Sequence, residues 1–266
     1  MPSHDAVIEE LHSLGFRAKA DVLSALLVHL SKSRASPEQA WEQLVALERR
    51  EREGRNLARR TRLATLGSFA PLDRFDWNHP RQADRTLFER LSTLDFLDAG
   101  ENVLLRGPSG VGKTTLAQNL GLAALAKGYT VRFTTLAGAL ADLLKQESLP
   151  ALDRRLRRRY CGPDLLILDE LGYLPCDNRS ADLLYNIVSR RHEKRSTVIT
   201  TNLAFKQWGT VFPGAACVAA LVDRFVQHCH VLDIDADSWR QKESLEPIPP
   251  GPPKKNRPGK SRNTDA

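Results

Sequence analysis

Cysteine is scarce in this 266-residue chain, and its four copies, Cys161, Cys176, Cys217 and Cys229, never stand in C-x-x-C spacing. That argues against a zinc ribbon or a disulfide framework and for reduced structural thiols. No apolar run approaches the ~18 residues needed to cross a bilayer, and no N-terminal apolar stretch with a basic flank is present. Secretion and membrane partners are therefore not expected, and a cytoplasmic location is. His228-x-His230 is a metal-like pair with no further ligands near it in sequence, which reads as ordinary strand histidines.

Positive charge is in excess. Thirty-nine lysines and arginines oppose 32 acids, for a formal net charge of +7 and a pI near 9.4. Such a balance favours a polyanionic partner. Two stretches concentrate it. Glu48–Arg62 holds seven arginines, including Arg55, Arg59 and Arg60, against three glutamates. It fits either a solvated helix face with i,i+4 pairs or a phosphate-contacting surface. Asp153–Tyr160 holds Arg154, Arg155, Arg157, Arg158 and Arg159 with little acid, and is the cleaner candidate for phosphate contact.

The chemistry is clearest at V-L-L-R-G-P-S-G-V-G-K-T-T, Val103–Thr115. A short apolar strand, a glycine-rich turn and an amphipathic helix follow one another, the context that G-x-x-x-x-G-K-[ST] requires. Gly107, Pro108, Ser109, Gly110, Val111, Gly112, Lys113, Thr114 and Thr115 are the expected nucleotide-binding residues. Backbone N–H groups of the turn and the helix N-terminus suit polyphosphate. Gly107 and Gly112 are expected to allow unusual φ values and close backbone approach. Lys113 can reach the β- and γ-phosphates, and the Thr114 hydroxyl can ligate Mg²⁺.

Leu165–Leu168 is a four-residue apolar run followed by Asp169 and Glu170. It reads as a strand buried on both faces, with the acids at its carboxyl end, where ligands of open α/β sheets bind. Asp169 is placed to hold Mg²⁺, and Glu170 to activate water. Ser196–Thr201 is a β-branched strand ending at Asn202, which could bond the γ-phosphate or the attacking water, or simply form a turn.

The remaining chain divides as a helical N-terminal domain (1–66), a linker (67–82), a nucleotide domain (83–246) and a basic tail (247–266) too poor in apolar residues to fold. Within these, residues 5–30 form two helices split near Gly15. Ser36-Pro37 starts a helix, Thr86–Ala99 is one helix ended by Gly100, and Phe205–Phe212 is a loop. Alternating βα units predict a parallel sheet flanked by helices.

G-P-S-G-V-G-K-T, L-L-I-L-D-E and V-I-T-T-N together resemble an AAA+ ATPase. With P-D-L-L-I-L-D-E-L-G-Y-L-P, F-K-Q-W-G and A-L-V-D-R-F-V-Q-H-C-H-V-L-D-I, the chain is similar to IstB-type transposition helper ATPases, themselves similar to DnaC helicase loaders. The resemblance implies an AAA+ core behind a small all-α domain. It implies a bacterial ATPase that uses ATP and Mg²⁺, oligomerises on duplex DNA at the nucleoid, deforms it and recruits a partner transposase. It places ATP between subunits, with Arg224 of the D-R segment as an arginine finger, and Arg191 at another basic family position near that interface. No C-terminal lid domain is expected after Trp239-Arg240, which leaves a second sensor arginine open. A DnaC-like helicase loader is the alternative function. A small-molecule kinase would need an acceptor pocket that no segment supplies.

Overall fold

The computed structural model describes residues 3–33, 35–78, 82–173 and 177–236. The basic tail, Trp239-Arg240 and Leu174–Cys176 of the G-Y-L-P-C segment lie outside them.

Three helices open the chain: α1 (His4–Ser13), α2 (Ala20–Ser33) and α3 (Pro37–Ala64). Ser36 caps α3 in a capping box with Gln39, and Pro37 occupies the first turn, where its missing N–H costs nothing. Ile8, Leu11, Ala18, Leu23, Leu44 and Leu47 form a small core of their own. Glu48, which opens the stretch read as either a solvated face or a phosphate-contacting surface, is 6% exposed. Its carboxylate accepts the backbone N–H groups of Arg17 and Ala18 at 2.9 and 2.8 Å, pinning the α1–α2 loop onto α3. Burial opposes its ionisation, yet the Arg52 bond and those two amides hold it below the usual carboxylate range. The far end of α3 leaves this core: Ala64 packs in the main one.

The sheet is built from β1 (Gln82–Ala83), β2 (Asn102–Arg106), β3 (Val131–Thr135), β4 (Leu165–Leu171), β5 (Ser196–Thr201) and β6 (Cys229–Asp235), in the order β1-β6-β2-β5-β4-β3. Five strands are parallel, and β1 adds an antiparallel edge on β6. Helices α4 (Arg85–Ser92), α5 (Asp95–Asp98), α6 (Lys113–Ala126), α7 (Leu136–Leu144), α8 (Leu149–Arg155), α9 (Asn178–Arg191), α10 (Trp208–Val211) and α11 (Val218–Val226) surround it. Both faces are covered, so alternate residues of one strand feed separate cores: Val103 and Leu105 on the α6 side, Leu104 on the α7–α9 side.

The helix expected over 86–99 is two. Leu94 turns left-handed (φ 70°) and is 1% exposed, while the Thr93 hydroxyl bonds Asp95 at 2.8 Å. A buried leucine anchor thus outweighs helix continuity. The expected loop 205–212 contains a 3₁₀ turn and α10, because Trp208 is fully buried beside Phe205 and Phe225. The arginine run 153–160 continues α8 as a π-helical turn, Leu156–Cys161.

Candidate functional site

The loop between β2 and α6 borders a cleft of about 270 Å³. Gly110 and Gly112 adopt φ of 81° and 91°, which turns the chain into α6. Gly107 does not share that role: its φ is not positive, and a Cβ there would meet the Ile234 carbonyl oxygen at 2.2 Å. Close approach to β6, rather than backbone freedom, requires that glycine. Ser36, Asp84, Thr135, Ser148 and Asp177 cap the helices that follow them, whereas Gly112 offers α6 no side chain. A helix start without a side-chain cap suits an anion.

Ser109, Gly110, Val111, Gly112, Lys113, Thr114 and Thr115 line the cleft. Gly107 and Pro108 do not, but their carbonyls accept the Lys113 ammonium at 2.8 and 2.6 Å. Of the two acids of β4, Glu170 lines the cleft and Asp169 lies behind its wall. The register of β4 on β5 shifts between Leu168 and Leu171, and this irregularity turns Asp169 inward (4% exposed) and Glu170 outward. Glu170 is left-handed (φ 63°), a strain of about 1 kcal/mol for a residue with a Cβ. The Thr114 hydroxyl lies 3.0 and 3.1 Å from the two Asp169 oxygens, so the two hard oxygen donors already share one point. Thr114 and Asp169 could hold a magnesium ion there.

Sequence reading missed Thr200. Its hydroxyl, on the buried strand β5, donates to Asp169 Oδ1 and accepts the Glu170 N–H at 3.0 Å. One side chain thus fixes both acids, and only the pairing of β4 with β5 discloses it. Asn202 follows β5 and lines the cleft with Glu170 and Tyr173. The segment read as a linker is more than a tether: Ala70, Arg74, Phe75 and Asp76 form the cleft's roof, and Phe75 packs so closely over Gly112 that a Cβ there would lie 2.5 Å from its ring.

Two other arginines separate. Arg224 on α11 sits over the Tyr185 ring, 5.1 Å from its centroid, and is not among the residues lining its own chain's cleft. Arg191, matched to an interface position, is instead 1% exposed. It donates to Thr197 Oγ1 and to the carbonyls of Tyr160, Pro163, Asp164 and Ser196 at 2.5–3.1 Å. Burial lowers its pKa to about 9. It ties the end of the π-helical turn to β5 and cannot reach a neighbour.

A family model described as IstB-like ATP binding protein matches residues 9–247. The chain belongs to this family. A protein named as the ATP-binding protein of insertion sequence IS21 in Pseudomonas aeruginosa is 34% identical over 89% of this chain and 90% of its own length. Its counterpart from IS5376 of Geobacillus stearothermophilus is 30% identical over 90% and 95%. Among solved structures, a DNA replication initiation factor aligns with TM-score 0.52 at 20% identity over 66% of this chain and 53% of that one. DnaI aligns with TM-score 0.51 at 21% identity over 62% and 90%. This IstB-like chain thus shares its fold, a parallel sheet flanked by helices with the glycine-rich loop between β2 and α6, with these replication proteins.

The predicted arginine sets also have places. Arg59 and Arg60 from α3 and Arg154, Arg155, Arg158 and Arg159 from the α8 region line a single groove of about 700 Å³, joined by Arg132 of β3, which no motif marks. Arg55 and Arg157 do not line it. Arg55 bonds the Arg17 carbonyl at 2.6 Å, and Arg157 pairs with Asp153. Among the described residues no cluster of metal-ligating side chains is present, and His230 pairs with Glu101 at 2.7 Å. No described helix is long and apolar enough to cross a membrane.

Proposed function

We propose that this IstB-like chain is an ATP hydrolase that assembles on duplex DNA while ATP holds neighbouring copies together. In this reading it deforms the DNA, recruits and stimulates a partner transposase, and releases when ATP is cleaved. The observation that carries the reading is the hydrogen-bonded run Thr114–Asp169–Thr200–Glu170, of which Thr114, Thr200 and Glu170 line the same cleft as the start of α6, which has no side-chain cap.

The roles follow from position. Lys113 exchanges the carbonyls of Gly107 and Pro108 for β- and γ-phosphate oxygens, and the N–H groups at the start of α6 cradle the rest. Thr114 and Asp169 hold Mg²⁺, which neutralises charge building on the phosphates. Glu170 projects from its strained turn and orients the attacking water, with Asn202 bonding the γ-phosphate or that water. Arg224 completes the site of a neighbouring copy, which is consistent with its distance from its own cleft. An arginine supplied in trans is worth ~10³–10⁵ in rate in related phosphoryl transfer, so an isolated copy turns over slowly.

Glu170→Gln tests this directly. It should bind ATP as the wild type does, hydrolyse it at least ~100-fold more slowly, and stay on DNA longer. Unchanged hydrolysis and unchanged DNA residence would remove Glu170 from its role. Capture of a transposase rather than a hexameric helicase by the full chain distinguishes the transposition helper from a helicase loader.

A further inference from the structure

The groove between the helical front and the sheet edge gathers cations with few acids to balance them. Arg59, Arg60, Arg132, Arg154, Arg158 and Arg159 all line it, and no acidic residue does. Asp142, just outside, is taken by Arg155 in a two-point bond that includes one contact of 2.8 Å, and by the Tyr160 hydroxyl at 2.6 Å. The buried guanidinium Nε atoms of Arg60 and Arg132 have no hydrogen-bond partner, and that of Arg159 has only an ion pair at 3.7 Å with the Asp142 carboxylate. A buried donor without a partner is costly, so the two open ones on this groove point to an acceptor that the described residues do not supply. Burial and then the facing charge of Arg159 push the Arg132 pKa down against the opposing pull of Tyr160 and Asp142, as expected where cations outnumber their counter-ions.

The backbone is shaped to make this convergence. The π-helical turn Leu156–Cys161 keeps Leu156 and Tyr160 in the core while Arg154 and Arg158 stay exposed on the groove side. Single π turns are uncommon and concentrate at functional sites.

We propose that this groove receives the phosphodiester backbone of duplex DNA, so that one strand of phosphates bridges the end of α3 and the β3 edge. Planar guanidinium forks match phosphate oxygens in two-point bonds. No aromatic side chain lines the groove, so it lacks the stacking platforms that single strands use, and the contact positions the duplex without reading its sequence. The groove is separate from the nucleotide. Arg132 lies three residues before Thr135, whose register partner is Asp169, a separation of ~10 Å along the strand. Bound DNA would therefore clamp the helical front to the edge strand that pairs with β4, the strand carrying Asp169 and Glu170. The inference rests on the DNA reading given above and names the surface that carries it.

The test is anisotropy titration of the full chain, with a non-hydrolysable ATP analogue and Mg²⁺, against two fluorescein-labelled 30-base-pair duplexes of unrelated sequence over a salt series. R154E/R158E should weaken binding to both at least tenfold and reduce the slope of log affinity on log salt by about 2, at ~0.9 per lost phosphate contact. R90E/K206E makes the same change of net charge at exposed positions outside the groove and should stay within twofold of wild type. Equal affinity of R154E/R158E and wild type, or an equal loss in the control pair, overturns the groove while leaving the DNA reading standing. A wild type that binds neither duplex overturns both. Calorimetry with inorganic tripolyphosphate at saturating nucleotide separates the remaining source of phosphate: binding that R154E/R158E abolishes, with duplex affinity intact, would assign the groove to a small polyanion and overturn the proposal.

Discussion

Replacing Thr200 with valine removes one hydroxyl and nothing else of note in volume. Thr200 is 1% exposed, and its hydroxyl serves two partners at once, the Asp169 carboxylate and the Glu170 N–H. A hydrogen bond to a charged group is worth about 1.5–3 kcal/mol and a neutral one about 0.5–1.5. Asp169, at 4% exposure, would keep the Thr114 hydroxyl but could recover little from water. The expected loss of stability is about 2–4 kcal/mol, or roughly 5–15 °C in Tm for a chain of this size. Glu170 would also lose the pin that holds its left-handed turn. Urea unfolding gives the first quantity, and steady-state ATP hydrolysis gives the second. Thr200→Val should lower kcat at least tenfold while nucleotide affinity changes less, and Thr200→Ser should restore most of both. A valine variant within ~0.5 kcal/mol of wild type and with unchanged kcat would refute the bridge.

Other consequences are as specific. Gly107→Ala should destabilise the chain by roughly 3 kcal/mol, at the upper end for an overpacked core, because its Cβ would strike a backbone carbonyl of β6; a Tm within 1–2 °C of wild type would contradict this. Arg224→Ala should bind ATP but not hydrolyse it, and mixing it with Lys113→Ala should restore turnover through mixed neighbours; no rescue at any ratio would end the shared-site reading. The Arg155 bond holds the Asp142 pKa down at about 2, from an ordinary 3.8, with the Tyr160 hydroxyl helping and burial opposing. A depressed acid contributes above its unfolded pKa and loses that contribution as pH falls through its folded value. Asp142→Asn should therefore cost about 2 kcal/mol at neutral pH, and the deficit should shrink from pH 4 towards pH 2 in unfolding titrations; a deficit independent of pH would contradict the assigned cause.

The nucleotide half was legible because its signals are local. Lys113 begins α6 as the motif requires, and β5 spans Ser196–Thr201 as its β-branched run predicts. Leu165–Glu170 lies within β4 because four apolar residues in a row need two covered faces. What escaped depends on pairing between distant segments. Thr200 matters only because β5 lies beside β4. Phe75 and Arg74 roof the cleft only because the supposed linker folds back over Gly112. The two arginine runs looked separate at 48–62 and 153–160, and only the docking of α3 on the sheet edge makes them one groove, with Arg132 between them. Neither the charge count that covered Glu48 nor the resemblance that put Arg191 near an interface could show that both are buried among backbone partners.

The central claim is that ATP in the cleft licenses assembly on duplex DNA. Electron microscopy of the full chain on long duplex with ATP and Mg²⁺, with ADP, and with no nucleotide tests it most directly. Ordered protein coats with ATP, and sparse or absent coats in the other two conditions, are the predicted result. Equal coating of DNA by protein stripped of nucleotide would contradict it.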